Sequence, residues 1–147
     1  MRGLVKPITF GPVVIDGNYP HMAKRDAPVW ERWVKLHGEH WQGVAYDVAI
    51  GGLEAAGEVP DPAADRMWQY MTALKIDAML IREDQALVVE VRPYATVSAL
   101  GACLSYAMVL ERIGAAAVPL VPAIVCEGIQ TDVDWCCAQM RIPVFKV

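Results

Sequence analysis

Four charged side chains sit at alternating positions around one short stretch, Lys75 to Tyr94, which reads KIDAMLIREDQALVVEVRPY. They are Lys75, Asp77, Glu90 and Arg92. The apolar residues on either side fall into two β-type runs, Ile76 to Ile81 and Ala86 to Val91, separated by the polar cluster Arg82, Glu83, Asp84 and Gln85, so the stretch predicts a hairpin. An even loop centred on Glu83 and Asp84 pairs Ile81 with Ala86, Met79 with Val88, Asp77 with Glu90 and Lys75 with Arg92. Strand side chains alternate between faces, so all four charged groups project from one side. Two carboxylates placed opposite one another repel, and such a site needs a cation, a shared proton or flanking bases. A divalent metal meets that need, and so do Lys75 and Arg92. An odd loop would instead send Asp77 and Glu90 to opposite faces.

The elements that must hold this hairpin are legible on both sides of it. Asp26 is placed to cap a helix with Ala27 and Pro28 in its first turn, and Trp30, Trp33, Val34, His37 and Trp41 follow at helical spacing. The stripe reads as core or interface and not as a base-stacking platform. His37 and His40 with Glu39 have no further ligand nearby and read as surface histidines. Gln42 to Ile50 alternates Val44, Tyr46, Val48 and Ile50 against Ala45, Asp47 and Ala49, a strand ended by Gly51 and Gly52. A loop with Gly57 and Pro60 follows, and then Asp61 and Pro62 open a second helix with Met67, Tyr70, Met71 and Leu74 on its apolar face.

Beyond the hairpin, Thr96 or Ser98 caps a long helix that runs to Ile113 and stops at Gly114. Its face of Leu100, Cys103, Leu104, Ala107, Leu110 and Ile113 turns toward a sheet. Val121 to Cys126 reads as a buried strand, Thr131 and Asp134 have capping-box spacing at the start of a short helix carrying Trp135 and Met140, and Ile142 to Val147 closes as a strand. This order predicts an α/β fold, a mixed sheet flanked by helices.

Residues 1–25 read as an extended arm, because Pro7, Pro12 and Pro20 with Gly3, Gly11 and Gly17 preclude a helix and leave only short extended pieces, Ile8 to Phe10 and Val13 to Ile15. Its apolar residues Leu4, Val5, Ile8, Phe10 and Val13 are expected to dock on a neighbouring subunit. Residues 26–147 form the folded domain. A chain of 147 residues can build a core without disulfides, and a hydrophobic fraction of 55% with mean hydropathy +0.28 leaves apolar surface for partners, which predicts a homo-oligomer or a larger particle. A net charge of −4 and a pI near 5.3 argue against broad attraction to nucleic acid. No apolar run approaches the roughly 20 residues that span a bilayer. Cys103, Cys126, Cys136 and Cys137 lack paired metal-site spacing and read as reduced, buried thiols; with no signal-peptide pattern at Met1, Arg2, Gly3, the expected location is the cytoplasm.

From Asp26 to Val147 the chain resembles the PD-(D/E)xK nuclease-like superfamily, whose core runs helix, three-stranded antiparallel meander, helix, strand. The residues that carry the resemblance are Asp77 in IDAMLI, then Glu90, Val91 and Arg92 in VVEVRPYA, and the helix ALGACLSYAMVLERI, which is similar to the family helix bearing a QxxxY pattern. Tyr106 keeps the tyrosine of that pattern and Ala102 stands at its glutamine. The resemblance implies a restriction-endonuclease-like fold. In active members the two acids and a backbone carbonyl, here Asp77, Glu90 and the carbonyl of Val91, hold Mg²⁺, an acid on the first helix, here Glu39 or Glu31, sometimes completes the site, and a lysine positions the attacking water.

This chain departs from that pattern at Arg92, whose guanidinium is larger than an ammonium, stays protonated and forks onto carboxylates, so it would clamp Glu90 or Asp77 in the space of the metal. Lys75 is the substitute cation. Two functions follow from the resemblance. One is a catalytically degenerate structural or adaptor component of a larger assembly, without cofactor, such as the head, neck or tail of a phage virion. The other is a Mg²⁺-dependent DNA nuclease using Asp77 and Glu90 with Arg92 or Lys75.

Overall fold

The computed structural model describes residues 1–55, 57 and 61–147; Pro60, read above as part of a loop, lies outside them. The order of elements is α1 (Ala27–His37), β1 (Gly43–Ile50), α2 (Pro62–Thr72), β2 (Leu74–Arg82), β3 (Gln85–Ala95), α3 (Val97–Arg112), β4 (Leu120–Ile129), α4 (Thr131–Gln139) and β5 (Val144–Lys146). The strands form one five-stranded sheet in the order β1-β2-β3-β4-β5. The first three are antiparallel and the last two run parallel to β3. The protein is therefore mixed α/β, with a mixed sheet flanked by helices.

Each face of the sheet has its own helices because the strands alternate. Val89, Val91, Ala123 and Val125 pack with Val29, Trp30, Trp33 and Val34 of α1, whereas Ala86, Val88 and Met79 pack with Tyr106 and Leu110 of α3. Ile124 and Cys126 join Leu100 and Cys103 of α3 to Val133 and Cys137 of α4. All four cysteines are free, and Cys136, next to buried Cys137, is half-buried. The helix α3 ends as its glycine predicts. Gly114 has φ +67°, and the amide of Ala115 reaches back to the Leu110 carbonyl.

The hairpin has the predicted register, with Arg82 opposite Gln85, Ile81 opposite Ala86 and Met79 opposite Val88. Its ladder stops at Ala78 and Val89. Farther along, strict alternation fails. Ala78 lies on the α1 side, but Ile76, two residues earlier, belongs to the α3 side. The same switch occurs in β1 between Tyr46 and Val48, and the residue between them, Asp47, has φ +50°. The rung that would join Asp47 to Asp77 is missing from the β1–β2 ladder. A left-handed residue inside a strand inserts a local kink and re-aims its neighbours, as a bulge does.

The arm, expected to dock on a neighbouring subunit, lies against its own domain. It runs antiparallel along the free edge of β1, bridging at Leu4 to Ile50 and at Gly11 to Val44, with the Val5 amide donating to the Ala49 carbonyl. Leu4 and Ile8 pack against the α3-side core and Val13 against the α1-side core. Phe10 stays largely exposed. The extended pieces expected at Ile8 to Phe10 and Val13 to Ile15 are not ladder strands; among the described residues two isolated bridges pair the arm's backbone with β1.

The second helix is also turned relative to expectation. Met67, Trp68, Met71 and Leu74 face outward, at 60%, 42%, 66% and 40% exposure, and the buried residue is Gln69. The Gln69 amide donates to the carbonyls of Gly3 and Gly51, so α2 is seated by polar contacts to the arm and to the turn after β1. Gly52, at φ +92°, makes this approach feasible, since a Cβ there would lie 2.6 Å from the Gln69 carbonyl oxygen. Asp61 caps α2 as expected through the Ala64 amide at 2.7 Å. The capping box at Thr131 and Asp134 does not form: the residue before α4 is Gln130, and the Asp134 carboxylate accepts from Lys146 at 2.8 Å instead.

Candidate functional site

Where β2 and β3 part, the Asp77 side chain replaces the lost rung: its Oδ2 accepts the Val91 amide at 2.9 Å. This fixes one carboxylate against the backbone of β3. Glu90, the neighbour of Val91, projects to the opposite side from Val91 and is fully buried beneath α3, where Tyr106 donates its hydroxyl to Oε2 at 2.9 Å. Arg92 follows two residues later on the same strand. Its Nη2 contacts Glu90 Oε1, its Nη1 donates to the Val91 carbonyl at 2.8 Å, and the same Nη1 lies 3.5 Å from Asp77 Oδ2. The guanidinium thus sits against Asp77, Glu90 and the Val91 carbonyl together.

A third carboxylate joins this group, and it is neither Glu39 nor Glu31. Glu39 is exposed beside His40, and Glu31 accepts from the Tyr19 hydroxyl. Asp26, read from sequence as a helix cap, makes no capping hydrogen bond. Its Oδ2 lies 3.8 Å from Arg92 Nη1, and the side chain is almost completely buried. The physical reason is local: Asp26 has helical dihedrals, φ −85° and ψ −30°, where a capping residue is extended. Arg92 bridges the two faces of the sheet, Asp26 coming from the α1 side and Glu90 from the α3 side.

Lys75 is not part of the constellation. The break in alternation at Asp77 turns it away, and its Nζ donates to the Tyr70 carbonyl at 2.7 Å while lying 4.6 Å from the centre of the Tyr70 ring. The predicted single face bearing all four charged groups is thereby corrected: Asp77, Glu90 and Arg92 meet, and Lys75 does not.

Three carboxylates share one guanidinium here, and burial sets their protonation. Desolvation raises the carboxyl of Glu90 to about 8, with the charge of Asp77 adding to the rise and Arg92 opposing it. Asp77 is raised by burial too, although the Val91 amide and Arg92 pull it down, and Asp26 is raised for the same first cause. Burial likewise pushes the Tyr106 phenol up, so that it stays a donor. The rise favours the protonated form of Glu90, which relieves the excess of negative charge around Arg92. Glu90 Oε1 and Asp26 Oδ1 have no hydrogen-bond partner, since the guanidinium touches the first without hydrogen-bond alignment.

The donor set of Asp77, Glu90 and the Val91 carbonyl has the oxygen chemistry that Mg²⁺ prefers. With Arg92 in place it does not fit the ion, because a fixed cation already lies on all three oxygens. Among the described residues no three His, Cys, Asp or Glu side chains converge as metal ligands. His37 is packed between Trp33 and Phe145, and His40 is exposed.

A second polar cluster surrounds the kinked residue of β1. Asp47 accepts from the Tyr70 hydroxyl at 3.0 and 3.2 Å, and His21 Nε2 lies 3.4 Å from its Oδ2. It ties the arm, β1 and α2 together.

No helix among the described residues is long and apolar enough to cross a membrane. Comparison of the chain with protein-family models, with characterised proteins and with solved structures finds no match.

Proposed function

We propose that this chain is a structural or adaptor component of a larger protein assembly, built on a restriction-endonuclease-like fold whose metal position is filled by its own Arg92. The observation that carries this reading is the contact of one guanidinium with Asp77, Glu90 and the Val91 carbonyl, the three groups that the resemblance makes metal ligands. Arginine stays charged and forks onto carboxylates, so it neutralises the acids without activating a water. Ala102 in the glutamine position and the engagement of Lys75 at Tyr70 support the same reading.

The assembly half of the proposal rests on α2. Met67, Trp68 and Met71 lie three and four residues apart along its outer side, with Leu74 continuing the apolar surface at the start of β2. The partners are further copies of this chain or other subunits of a particle, and the setting suggested by the resemblance is the head, neck or tail of a phage virion. Leu4, Ile8 and Val13 of the arm pack on the chain's own core, which supports α2 as the main contact surface.

Light scattering on the wild type and on the Met67→Glu, Met71→Glu double variant tests this. The wild type is expected to be oligomeric and the variant a folded monomer; a monomeric wild type up to high concentration would remove the assembly reading. A second reading, Mg²⁺-dependent DNA hydrolysis by Asp77 and Glu90, is favoured by the third buried acid, Asp26, beside the pair. Plasmid and linear DNA incubated with Mg²⁺ decide between them. Cleavage by the wild type that is lost in Asp77→Asn, Glu90→Gln would establish the second reading.

A further inference from the structure

The outer side of α2 carries a pattern that reads the same from both ends. At about 3.6 residues per turn, Ala64, Met67, Trp68 and Met71 form one stripe, and Gln69, which seats the helix on the arm and on the turn after β1, lies across the helix from it. All four stripe residues are exposed. Counted from either end, their spacing is three, one and three residues. A second copy of the helix laid across the first in the opposite direction therefore brings Ala64 onto Met71 and Met67 onto Trp68. The long side chain at one end meets the small one at the other, and alanine leaves the room for two helix axes to approach to about 8–10 Å.

The charges share this symmetry. Asp61, exposed, stands at the start of α2 with its Oδ1 on the Ala64 amide. Lys75, half-buried, stands just past the end with its Nζ on the carbonyl of Tyr70. Reversing one helix sets the acid of each copy toward the lysine of the other, at both ends of the contact, and opposes the two helix dipoles favourably. A parallel arrangement would set Asp61 beside Asp61 and Lys75 beside Lys75.

We infer that the partner of α2 is a second copy of this chain, its α2 packed antiparallel on the first across a twofold axis that passes between Met67 and Trp68. A partner of other sequence has no need of a stripe and flanking charges that match their own reversal. The inference rests on the assembly reading and adds to it the identity of the partner and the geometry of the contact. A twofold contact uses the same patch on both copies and closes on itself, so α2 supplies a dimer as the unit of any larger assembly.

Cysteine cross-linking of the full chain tests it. Ala64→Cys, Met71→Cys and the double variant, all at exposed positions, are oxidised in parallel with the wild type, whose own thiols are buried or half-buried and give the background. Within one chain the two positions lie about two helical turns apart, roughly 10 Å, too far for a disulfide. The expected result is a covalent dimer in the double variant, formed about tenfold or more faster than in either single variant, because only reversed helices bring position 64 of one copy within disulfide reach of position 71 of the other. Cross-linking of a single variant as fast as the double would mean a parallel or unspecific contact and overturn the assignment. No cross-linking of the double above background, with the wild type still oligomeric in light scattering, would overturn it and leave the assembly reading in place; a monomeric wild type would remove both.

Discussion

Tyr106 on α3 donates its hydroxyl to Glu90 on β3, 2.9 Å away in the buried layer between helix and sheet. The contact does two things. It satisfies one oxygen of a carboxyl that has no exposure to solvent, and it fixes the rotation of that carboxyl so that the other oxygen faces Arg92.

Tyr106→Phe removes the donor and keeps the ring. Leaving a buried oxygen without its hydrogen bond costs about 1–3 kcal/mol. Because the bond also lowers the Glu90 pKa, its loss favours the protonated form, and the penalty is larger in alkaline than in mildly acidic buffer. Denaturant melts of the two proteins at both pH values measure this, and an equal loss at each would show that Tyr106 acts by packing alone.

Glu90→Gln tests the protonation state itself. A carboxyl whose folded pKa is raised binds more protons in the native than in the unfolded state. Stability is therefore highest below the unfolded pKa and falls as pH climbs from about 4.5 to about 8. The neighbouring Asp77 and Asp26, both raised, act in the same direction. Glutamine cannot ionise, so the variant is expected to lose much of this slope and to melt about 5 °C above the wild type near pH 8. Thermal unfolding followed across this range gives the answer; parallel curves would mean that Glu90 is ionised in the native protein.

Arg92→Ala removes the cation shared by buried Glu90 and Asp26 and partly buried Asp77. Removing one partner of a buried ion pair costs roughly 3–5 kcal/mol. The loss is expected to shrink at acidic pH, where the acids take up protons. The vacated space lies between oxygens suited to a divalent ion, so Mn²⁺ should raise the melting temperature of this variant and not of the wild type. An equal response in both proteins would show that Arg92 does not block the site.

Deleting residues 1–19 is expected to destabilise the domain and not merely to alter its assembly. Leu4, Ile8 and Val13 pack on the core, and Tyr19 is buried with its hydroxyl on Glu31. Burial of a large apolar side chain contributes about 1.5–3 kcal/mol, and several are lost together. The melting temperature should drop by about 10 °C or more. An unchanged midpoint would return the arm to the partner-docking role first read from its composition.

The hairpin was readable because a period of two and a polar interruption fix a register without reference to the rest of the molecule. That Arg92 would fork onto the acids followed from guanidinium chemistry. What the pattern could not give was the kink at Asp47, since alternation carries no mark of a left-handed residue, and Lys75 was misplaced as a result. Asp26 was read as a cap from its residue type and place, which carry no mark of the helical backbone it adopts. The apolar stripe of α2 was recognised, but periodicity says only that a helix has two faces. Which one turns inward was decided by Gln69 and two glycine carbonyls distant in sequence.

The margins of the sheet carry a last consequence. One side is overlaid by the arm, which contributes only two bridges, and the other ends in β5, three residues long. The arm over β1 and the short β5 over the middle of β4 interrupt both rims among the described residues, which hinders another chain from templating on them. Any contact between copies would then rest on side chains, where single surface substitutions could tune it.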